Sequence, residues 1–260
     1  MEKVGTEVID TPQSVAKPVD RLVSIHTVKP GNTLFSPVIY IDLEGVDLCR
    51  EGSISILTLL VDQGPSSQHA YLIDVHTLDA QAFTTAGTKE TTLKDILHDE
   101  KIPKVFFDVR NDSDALFAHY GVALQGVEDV QLMESATRET TGSRRYLSGL
   151  AKCIEHSFIR TFHDDSYDYA SWSKAKAAGE KLFKAKHGGS YDVFNKRSVL
   201  EAIVAYCVGD VRCLPDIRKH LCGTRPQEWR DIVIQETKKR IASTHTPDYQ
   251  PHGRERTLAP

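Results

Sequence analysis

The sequence lacks the features that mark several large protein classes. It has no run of about 18 uncharged apolar residues, so no membrane-spanning helix is expected. The segment before residue 12 has no apolar core of the kind that signal peptides carry. The five cysteines are widely spaced and none lies in a C-x-x-C pair. We therefore expect reduced thiols and a cytoplasmic or nuclear protein.

Motifs of several common catalytic classes are also missing. The 11 histidines form no H-x-H or H-E-x-x-H pattern and no Cys/His cluster with zinc spacing. Neither a P-loop, nor the glycine pattern of a Rossmann fold, nor a G-x-S-x-G nucleophile motif occurs. The sequence therefore does not indicate a zinc protease, a dinucleotide-dependent enzyme or a serine hydrolase.

Charge and composition are those of an ordinary globular protein. Among 260 residues, 32 are Lys or Arg and 36 are Asp or Glu, which gives a formal net charge of −4. This balance argues against a basic coat over the whole surface, although it permits a local basic patch. Hydrophobic residues make up 40% and charged residues 26%, which excludes disorder of the whole chain.

The order of apolar segments predicts an α/β fold. Three β-branched runs at 37–43, 54–61 and 69–75 have short polar connections, which is typical of an antiparallel meander. Further strands are predicted at 104–109 and 127–132. Helices are predicted at about 92–97, 112–120, 146–156, 171–186, 198–220 and 226–242. This order indicates a mixed five-stranded sheet flanked by helices.

The same patterns suggest one main domain at 12–220, with a helical insertion at about 157–197. A C-terminal helix would follow at 221–243. We expect flexible segments at 1–11 and 244–260, because neither shows apolar periodicity. Thr11 and Pro12 have the form of a helix start, and Pro18 predicts that this first helix is kinked or begins late.

Two pairs of residues place polar groups beside apolar segments of the sequence. Asp42 and Glu44 end the first apolar strand and, being two residues apart, point to the same face. Tyr206 and Asp210 are four residues apart on a predicted helix and share a face. The alternatives are a solvated strand end for the first pair, and an exposed Asp beside a half-buried Tyr for the second.

A third acidic site follows the strand at 104–109. Asp112 and Asp114 are both candidates, and Asp108 is a poorer one. Asp is also favoured at helix starts, so at least one of these carboxylates is expected to serve only the helix. Carboxylates from three elements that converge would suit hard divalent cations, and such clusters promote displacement at phosphorus.

The three sites, in this order and at these spacings, resemble the DEDDy branch of the 3′–5′ exonucleases, which includes ribonuclease D. The D-x-E motif reads Asp42-Leu43-Glu44, and the Y-x-x-x-D motif runs from Tyr206 to Asp210. Ala205 stands where the sister branch has a histidine. The offsets to Tyr120-Gly121 and to Asp129-Val130-Gln131 favour Asp112 over Asp114 as the second-motif ligand. The forms Asp-Leu-Glu-Gly and GGSYDVFNKR are similar to the Egalitarian-like clade, including its fungal members.

The resemblance covers about residues 12–220 and implies a ribonuclease-H-like fold. It also implies that Asp42, Glu44, Asp112 and Asp210 bind two Mg²⁺ or Mn²⁺ ions, and that Tyr206 orients the attacking water. The expected reaction is hydrolysis from the 3′ end of RNA or DNA, releasing nucleoside 5′-monophosphates. The alternative is a weakly active or inactive RNA-binding adaptor that keeps the fold.

A basic segment with interleaved aromatic residues is the candidate nucleic-acid contact. The segment from Trp172 to Arg197 contains seven basic and only two acidic residues, although the whole chain has a net negative charge. Such a segment would grip a phosphate backbone and stack a base. The alternative is a solvated helix face with its aromatic side chains in the core. The residues expected to contact the backbone are Arg144, Arg145, Lys174, Lys181, Lys184, Lys196 and Arg197.

Overall fold

The computed structural model describes residues 4–28, 39–64, 67–161, 169–223, 225–253 and 257–258. The strands are β1 (Gly5–Ile9), β2 (Ile39–Glu44), β3 (Ile56–Asp62), β4 (Gln68–Ile73), β5 (Lys104–Phe106) and β6 (Val127–Asp129). The helices before β6 are α1 (Pro12–Val28), α2 (Val75–Leu78), α3 (Gln81–Thr84), α4 (Leu93–His98) and α5 (Arg110–Tyr120). Those after it are α6 (Val130–Thr137), α7 (Thr141–Arg144), α8 (Leu150–Thr161), α9 (Tyr169–Phe183), α10 (Glu201–Arg212), α11 (Leu214–Cys222) and α12 (Gln227–Thr244). Short 3₁₀ turns lie at Ala185–His187 and Tyr191–Asn195.

The strands form one mixed sheet in the order β1-β4-β3-β2-β5-β6. The antiparallel meander of β2, β3 and β4 is present as predicted, and β5 pairs parallel with both β2 and β6. Because β2 lies between β3 and β5, it is an inner strand whose backbone is held on both sides. The α/β prediction with a mixed sheet flanked by helices is thus confirmed.

The sheet has six strands instead of the five expected, because residues 5–9 pair with β4 and form β1, which is the edge strand. The sequence predicts a flexible N-terminus for these residues. The segment is too short and too polar to show a strand period, and it gains order from its ladder with β4. A Cβ atom on Gly5 would lie 2.5 Å from the His69 ring, so a larger residue here would displace that side chain.

Helix α1 begins at Pro12, as the Thr11-Pro12 pair predicts, and runs through Pro18. Two other element boundaries differ from expectation, each for a local reason. Residues 130–132 belong to α6 because the Asp129 side chain accepts a hydrogen bond from the Gln131 amide and caps the helix. The helix predicted at 198–220 is two helices, and Pro215 stands in the first turn of the second, where its missing N–H is tolerated.

The two faces of the sheet are covered by different apolar clusters. On β2, Ile39, Ile41 and Leu43 pack into the cluster that includes α1, α4 and α5. Tyr40 points to the opposite face, into a cluster with Val211 of α10 and residues of α11. Within the described residues, no helix is long and apolar enough to cross a membrane.

The chain after α12 also makes contacts where a flexible tail was expected. The Arg50 guanidinium donates to the carbonyl oxygens of Thr244 and Pro247 and lies 5.4 Å from the centre of the Tyr249 ring. The Leu147 amide donates to the Thr257 carbonyl at 2.8 Å. These contacts draw the C-terminal segment toward the turn that follows β2.

Arg197 fastens the inserted segment to the sheet. Its guanidinium forms a two-pronged ion pair with Asp74, which is 1% exposed, and its remaining N–H groups donate to the carbonyls of Ser55, Phe194 and Lys196. These bonds use all five donors of the side chain. Arg197 is therefore a structural anchor and has no donor left for a phosphate, contrary to its predicted nucleic-acid role.

We predict that Arg197→Ala lowers the free energy of unfolding by about 3 kcal/mol at neutral pH, because it leaves the buried Asp74 carboxylate without its ion-pair partner. Burial alone would raise the pKa of Asp74, but the bonds from Arg197 and Thr77 outweigh it and hold the pKa below its ordinary value of 3.8. The pair therefore stabilises the fold above that pH, and its contribution fades as the pH falls through the folded pKa.

Denaturant unfolding of both proteins between neutral and acidic pH measures this difference. The neighbouring exposed variant Lys196→Ala is the control and should stay within about 0.5 kcal/mol of wild type. A difference between Arg197→Ala and wild type that stays constant down to the acid limit would contradict the assignment.

Candidate active site

Asp42 and Glu44 share one face of the sheet because side chains alternate along β2. Ile41 and Leu43 enter the core on one side, so Asp42 and Glu44 emerge on the other, on the same side as Tyr40. Strand β5 pairs with β2 only at Ile39 and Tyr40. The two carboxylates therefore lie at the carboxyl end of an inner strand, beyond its parallel neighbour.

Helix α10 crosses this face and brings the second pair of residues. Tyr206 and Asp210 are one turn apart and are both buried. Oxygen atoms of Asp42, Glu44 and Asp210 lie within 4.8 Å of one another. The structure thus brings together the first and third predicted motifs, which are more than 160 positions apart in the chain.

The crowding of these carboxylates changes their acidity. Burial and the charge of Asp210 raise the pKa of Asp42 to about 7. Burial together with the Asp42 and Asp210 charges raises the pKa of Glu44 as well. Burial also raises the pKa of Asp210, although Lys176 opposes that shift. Like charges at this spacing favour protonation unless a cation shares the site.

Lys176 of α9 supplies one positive charge to this cluster. Its ammonium group donates to the Tyr206 hydroxyl at 3.0 Å and to Oδ2 of Asp210. Helix α9 reaches this position because Gly179 lets it approach α10 closely, and a Cβ atom there would lie 2.6 Å from Tyr206. Burial would lower the pKa of Lys176, but the carboxylates outweigh it and raise the pKa.

The structure separates the two candidates for the second motif. Asp112 lies in the first turn of α5, and its charge is one of those that raise the pKa of Glu44. Asp114 is 1% exposed and faces the turn after β2, where its carboxylate accepts from the Arg50 amide and Nε, both at 2.8 Å. Asp108 pairs with Arg110. Asp112 is therefore close enough for its charge to act on Glu44, whereas Asp114 is held by Arg50.

The basic segment separates into core and surface. Trp172, Phe183 and Phe194 are buried, so most of its aromatic side chains are part of the core. Tyr191 is 47% exposed, with its ring centre 5.1 Å from that of Phe183. Tyr191 is therefore the aromatic residue of this segment that is exposed enough for the predicted stacking on a base.

The remaining predicted contact residues lie on the surface or make local contacts. Lys184 pairs with Glu180 at 2.6 Å, and Arg144 donates to the Arg138 carbonyl. The Arg145 guanidinium lies 5.3 Å from the centre of the Tyr146 ring. The exposed lysines of the segment are Lys174, Lys181, Lys186 and Lys196.

Lys176 is a site residue that the sequence patterns do not identify. In the sequence it is only one of the seven basic residues from Trp172 to Arg197. The available signal was Gly179, a glycine inside a helical pattern, which marks a close backbone approach. That signal locates a helix contact without identifying which lysine faces the carboxylates.

The donor set fits hard divalent cations. All ligand atoms of the cluster are carboxylate oxygens, which Mg²⁺ and Mn²⁺ prefer. Among the described residues, Oδ1 of Asp210 is buried without a hydrogen-bond partner. A buried carboxylate oxygen with no partner is costly, and coordination of a cation would satisfy it.

Comparison with known proteins gives a family match over most of the chain. The family model for the 3′–5′ exonuclease domain matches residues 26–223. This range contains Asp42, Glu44, Asp112, Tyr206 and Asp210. It also contains the inserted helix α9.

Curated relatives match part of the chain. The piRNA biogenesis protein EXD1 of Mus musculus is 31% identical over 125 residues, which is 47% of this chain and 20% of that protein. The human protein of the same name is also 31% identical over 125 residues, 22% of its length. The matched segment thus spans about a fifth of these relatives.

Solved structures share the fold at low sequence identity. RNase D of Trypanosoma brucei, in a complex with RNA U12, matches 99% of this chain and 76% of its own chain, with a TM-score of 0.72 and 21% identity. Escherichia coli RNase D matches 94% of this chain and 51% of its own, with a TM-score of 0.59 and 18% identity. The ribonuclease-H-like fold expected from the resemblance is confirmed. The chain belongs to the 3′–5′ exonuclease family, which comprises hydrolases that act on nucleic acids.

Proposed function

We propose that the chain is a divalent-cation-dependent exonuclease that removes nucleoside 5′-monophosphates from the 3′ end of a nucleic acid. The observation that carries this proposal is the cluster of Asp42, Glu44 and Asp210, whose oxygens lie within 4.8 Å of one another on a rigid strand and helix. Family membership supplies the reaction class, and the cluster contains three of the four carboxylates that this proposal uses.

Asp42, Glu44, Asp112 and Asp210 would hold two Mg²⁺ or Mn²⁺ ions. When bound, such ions supply activation of the attacking water and stabilisation of the leaving oxygen. The protein itself contributes position: β2 fixes two of the carboxylates, α10 fixes a third, and the first turn of α5 presents Asp112. Phosphoryl transfer depends mainly on such positioning and on charge stabilisation.

Tyr206 orients the attacking water in this proposal, and Lys176 positions Tyr206. An ammonium group can only donate, so the Tyr206 oxygen accepts from Lys176, and its own proton points toward the Asp210 side of the site, where it lowers the pKa of that carboxyl. Burial raises the pKa of Tyr206, which keeps the hydroxyl protonated and able to donate. Lys176 is therefore a positioning residue for the water-binding hydroxyl.

We propose RNA as the first substrate to test. The structural match to an RNase D that was solved with RNA supports this choice, as does the partial match to a piRNA biogenesis protein. The surface lysines Lys174, Lys181 and Lys196, with Arg144 and Arg145, would contact the phosphate backbone. Lys184 would join them if it leaves Glu180. The residues of the site do not indicate a cellular compartment. We keep the cytoplasmic or nuclear localisation as a proposal.

The first prediction concerns the cluster itself. Purified wild type should shorten a 5′-labelled single-stranded RNA from its 3′ end in Mg²⁺ or Mn²⁺, and EDTA should stop the reaction. Asp42→Asn and Asp210→Asn should each lower the rate by at least about a hundredfold, because each removes charge stabilisation of the transition state. Chromatography of the products should show nucleoside 5′-monophosphates. A variant as fast as wild type would exclude this mechanism.

The second prediction compares two carboxylates of one helix. Asp112→Asn should abolish degradation with little loss of stability, whereas Asp114→Asn should keep activity in the folded fraction and lower the melting temperature. The reason is that Asp114 holds Arg50, while the charge of Asp112 acts on Glu44 of the cluster. Degradation assays and thermal unfolding of both variants measure the difference, and the reverse outcome would make Asp114 the ligand.

The third prediction concerns Lys176. Lys176→Met should lower kcat by roughly tenfold to a hundredfold, because Tyr206 loses its positioning contact, and should raise KM by a smaller factor, because the loaded site loses its net positive charge. The same variant should bind Mn²⁺ more tightly by calorimetry, because the ammonium no longer neutralises Asp210. Lys152→Met, an exposed change on α8, is the control for lost charge.

The Lys176 variant also tests the adaptor alternative. If the wild type binds RNA but neither binds Mn²⁺ nor cleaves, while Lys176→Met gains both, the ammonium blocks the site and the chain acts as a binding protein. A kcat equal to that of wild type with unchanged Mn²⁺ affinity would remove Lys176 from the mechanism.

A further inference from the structure

A second group of metal-type ligands lies outside the carboxylate cluster. Asp47, Cys49 and His252 offer ligand atoms that lie within 4.8 Å of one another. Two of these residues belong to the turn after β2, and the third follows α12, more than 200 positions later in the chain. The sequence shows no zinc spacing here because the fold, and not a local motif, assembles the group.

The distances match the edges of a tetrahedral zinc site. Sγ of Cys49 lies 3.7 Å from Nε2 of His252, and the sulfur and nitrogen ligands of tetrahedral zinc are separated by about 3.6 Å. Nε2 of His252 lies 3.4 Å from Oδ1 of Asp47, and the expected nitrogen–oxygen separation is about 3.3 Å. Two edges of the coordination shell are therefore already formed.

Glu51 can supply a fourth ligand. Oε2 of Glu51 lies 3.0 Å from Sγ of Cys49, whereas an oxygen and a sulfur bound to tetrahedral zinc are about 3.5 Å apart. In this structure Glu51 groups with Cys49 and Asp114, so its carboxylate must turn toward Asp47 and His252 to complete the site, and its exposure on the surface leaves room for that rotation. Asp114 also lies near Cys49, but its carboxylate is already bound by Arg50.

We propose that Asp47, Cys49, Glu51 and His252 form a structural zinc site. The ligand set of one sulfur, one nitrogen and two oxygens favours Zn²⁺ over Mg²⁺, which the all-oxygen cluster of the active site prefers. On binding, the Cys49 S–H bond breaks, the sulfur bonds to zinc, and the proton passes to solvent. The two kinds of site thus select different cations.

The ion would fasten the C-terminal segment over the turn after β2. That segment already contacts Arg50 through Thr244, Pro247 and Tyr249, and Arg50 in turn holds Asp114. Zinc would add a strong link to this set of contacts. Through Asp114 the link reaches the first half of α5, the helix that carries Asp112.

The experiment measures zinc in a tag-free full-length protein whose carboxylate cluster is disabled by Asp42→Asn. The stripped protein is titrated with Zn²⁺ in competition with a chromophoric chelator. We expect one zinc per chain, a proton released with each ion, and at least about a tenfold loss of affinity in His252→Ala, since a ligand is removed. At a hundredfold excess over the dissociation constant, zinc should raise the melting temperature by roughly 5–10 °C.

Co²⁺ identifies the sulfur ligand independently. A cobalt–thiolate charge-transfer band should appear in the Asp42→Asn protein and disappear after Cys49→Ser, while the control Cys222→Ser keeps it. Zinc that binds wild type but not Asp42→Asn would place the ion at the carboxylate cluster and overturn the inference. Equal zinc affinity in the Asp42→Asn protein with and without His252→Ala would overturn it as well. Neither result depends on exonuclease activity.

Discussion

Mutual repulsion among carboxylates at the end of β2 is the constraint on which the site depends. Asp42, Glu44 and Asp210 are held close by elements that cannot separate, since β2 is an inner strand and α10 lies across it. The raised pKa values of all three express the cost of this arrangement. Such a cost is retained at a functional site because a bound cation converts it into affinity.

Other buried carboxylates of the fold pair with arginine side chains, and within the part of the chain that the structure describes the carboxylates of the cluster do not. Asp74, Asp114 and Asp129 are as buried as any residue of the cluster, but each faces the guanidinium of an arginine. Arginine bonds, together with backbone amides at Asp114 and Asp129, occupy these carboxylate oxygens and leave them little capacity for a metal. The cluster instead receives one ammonium group, from Lys176, which leaves Oδ1 of Asp210 without a hydrogen-bond partner among the described residues.

Sequence patterns predicted the parts of this molecule that depend on local periodicity. The alternation along β2 placed Asp42 and Glu44 on one face, and helical spacing paired Tyr206 with Asp210; the structure shows both arrangements. Features set by distant contacts were not predictable in this way. Strand β1 depends on the neighbouring β4, and the anchoring role of Arg197 depends on Asp74, 123 positions away. Offsets to the neighbouring motifs favoured Asp112 over Asp114, but only the position of Arg50 shows that the fold uses Asp114.

Lys176 gives the site a charge balance that carboxylates alone would not have. On the proposed assignment, four carboxylates and one ammonium group carry three formal negative charges. Two divalent cations turn this into a single positive charge, which equals in size the charge of the phosphodiester to be bound. Without the lysine the loaded site would be neutral and would attract the substrate less, because electrostatic attraction in a partly buried site is weakly screened. The close approach of α9 at Gly179 thus connects a backbone contact to the electrostatics of substrate binding.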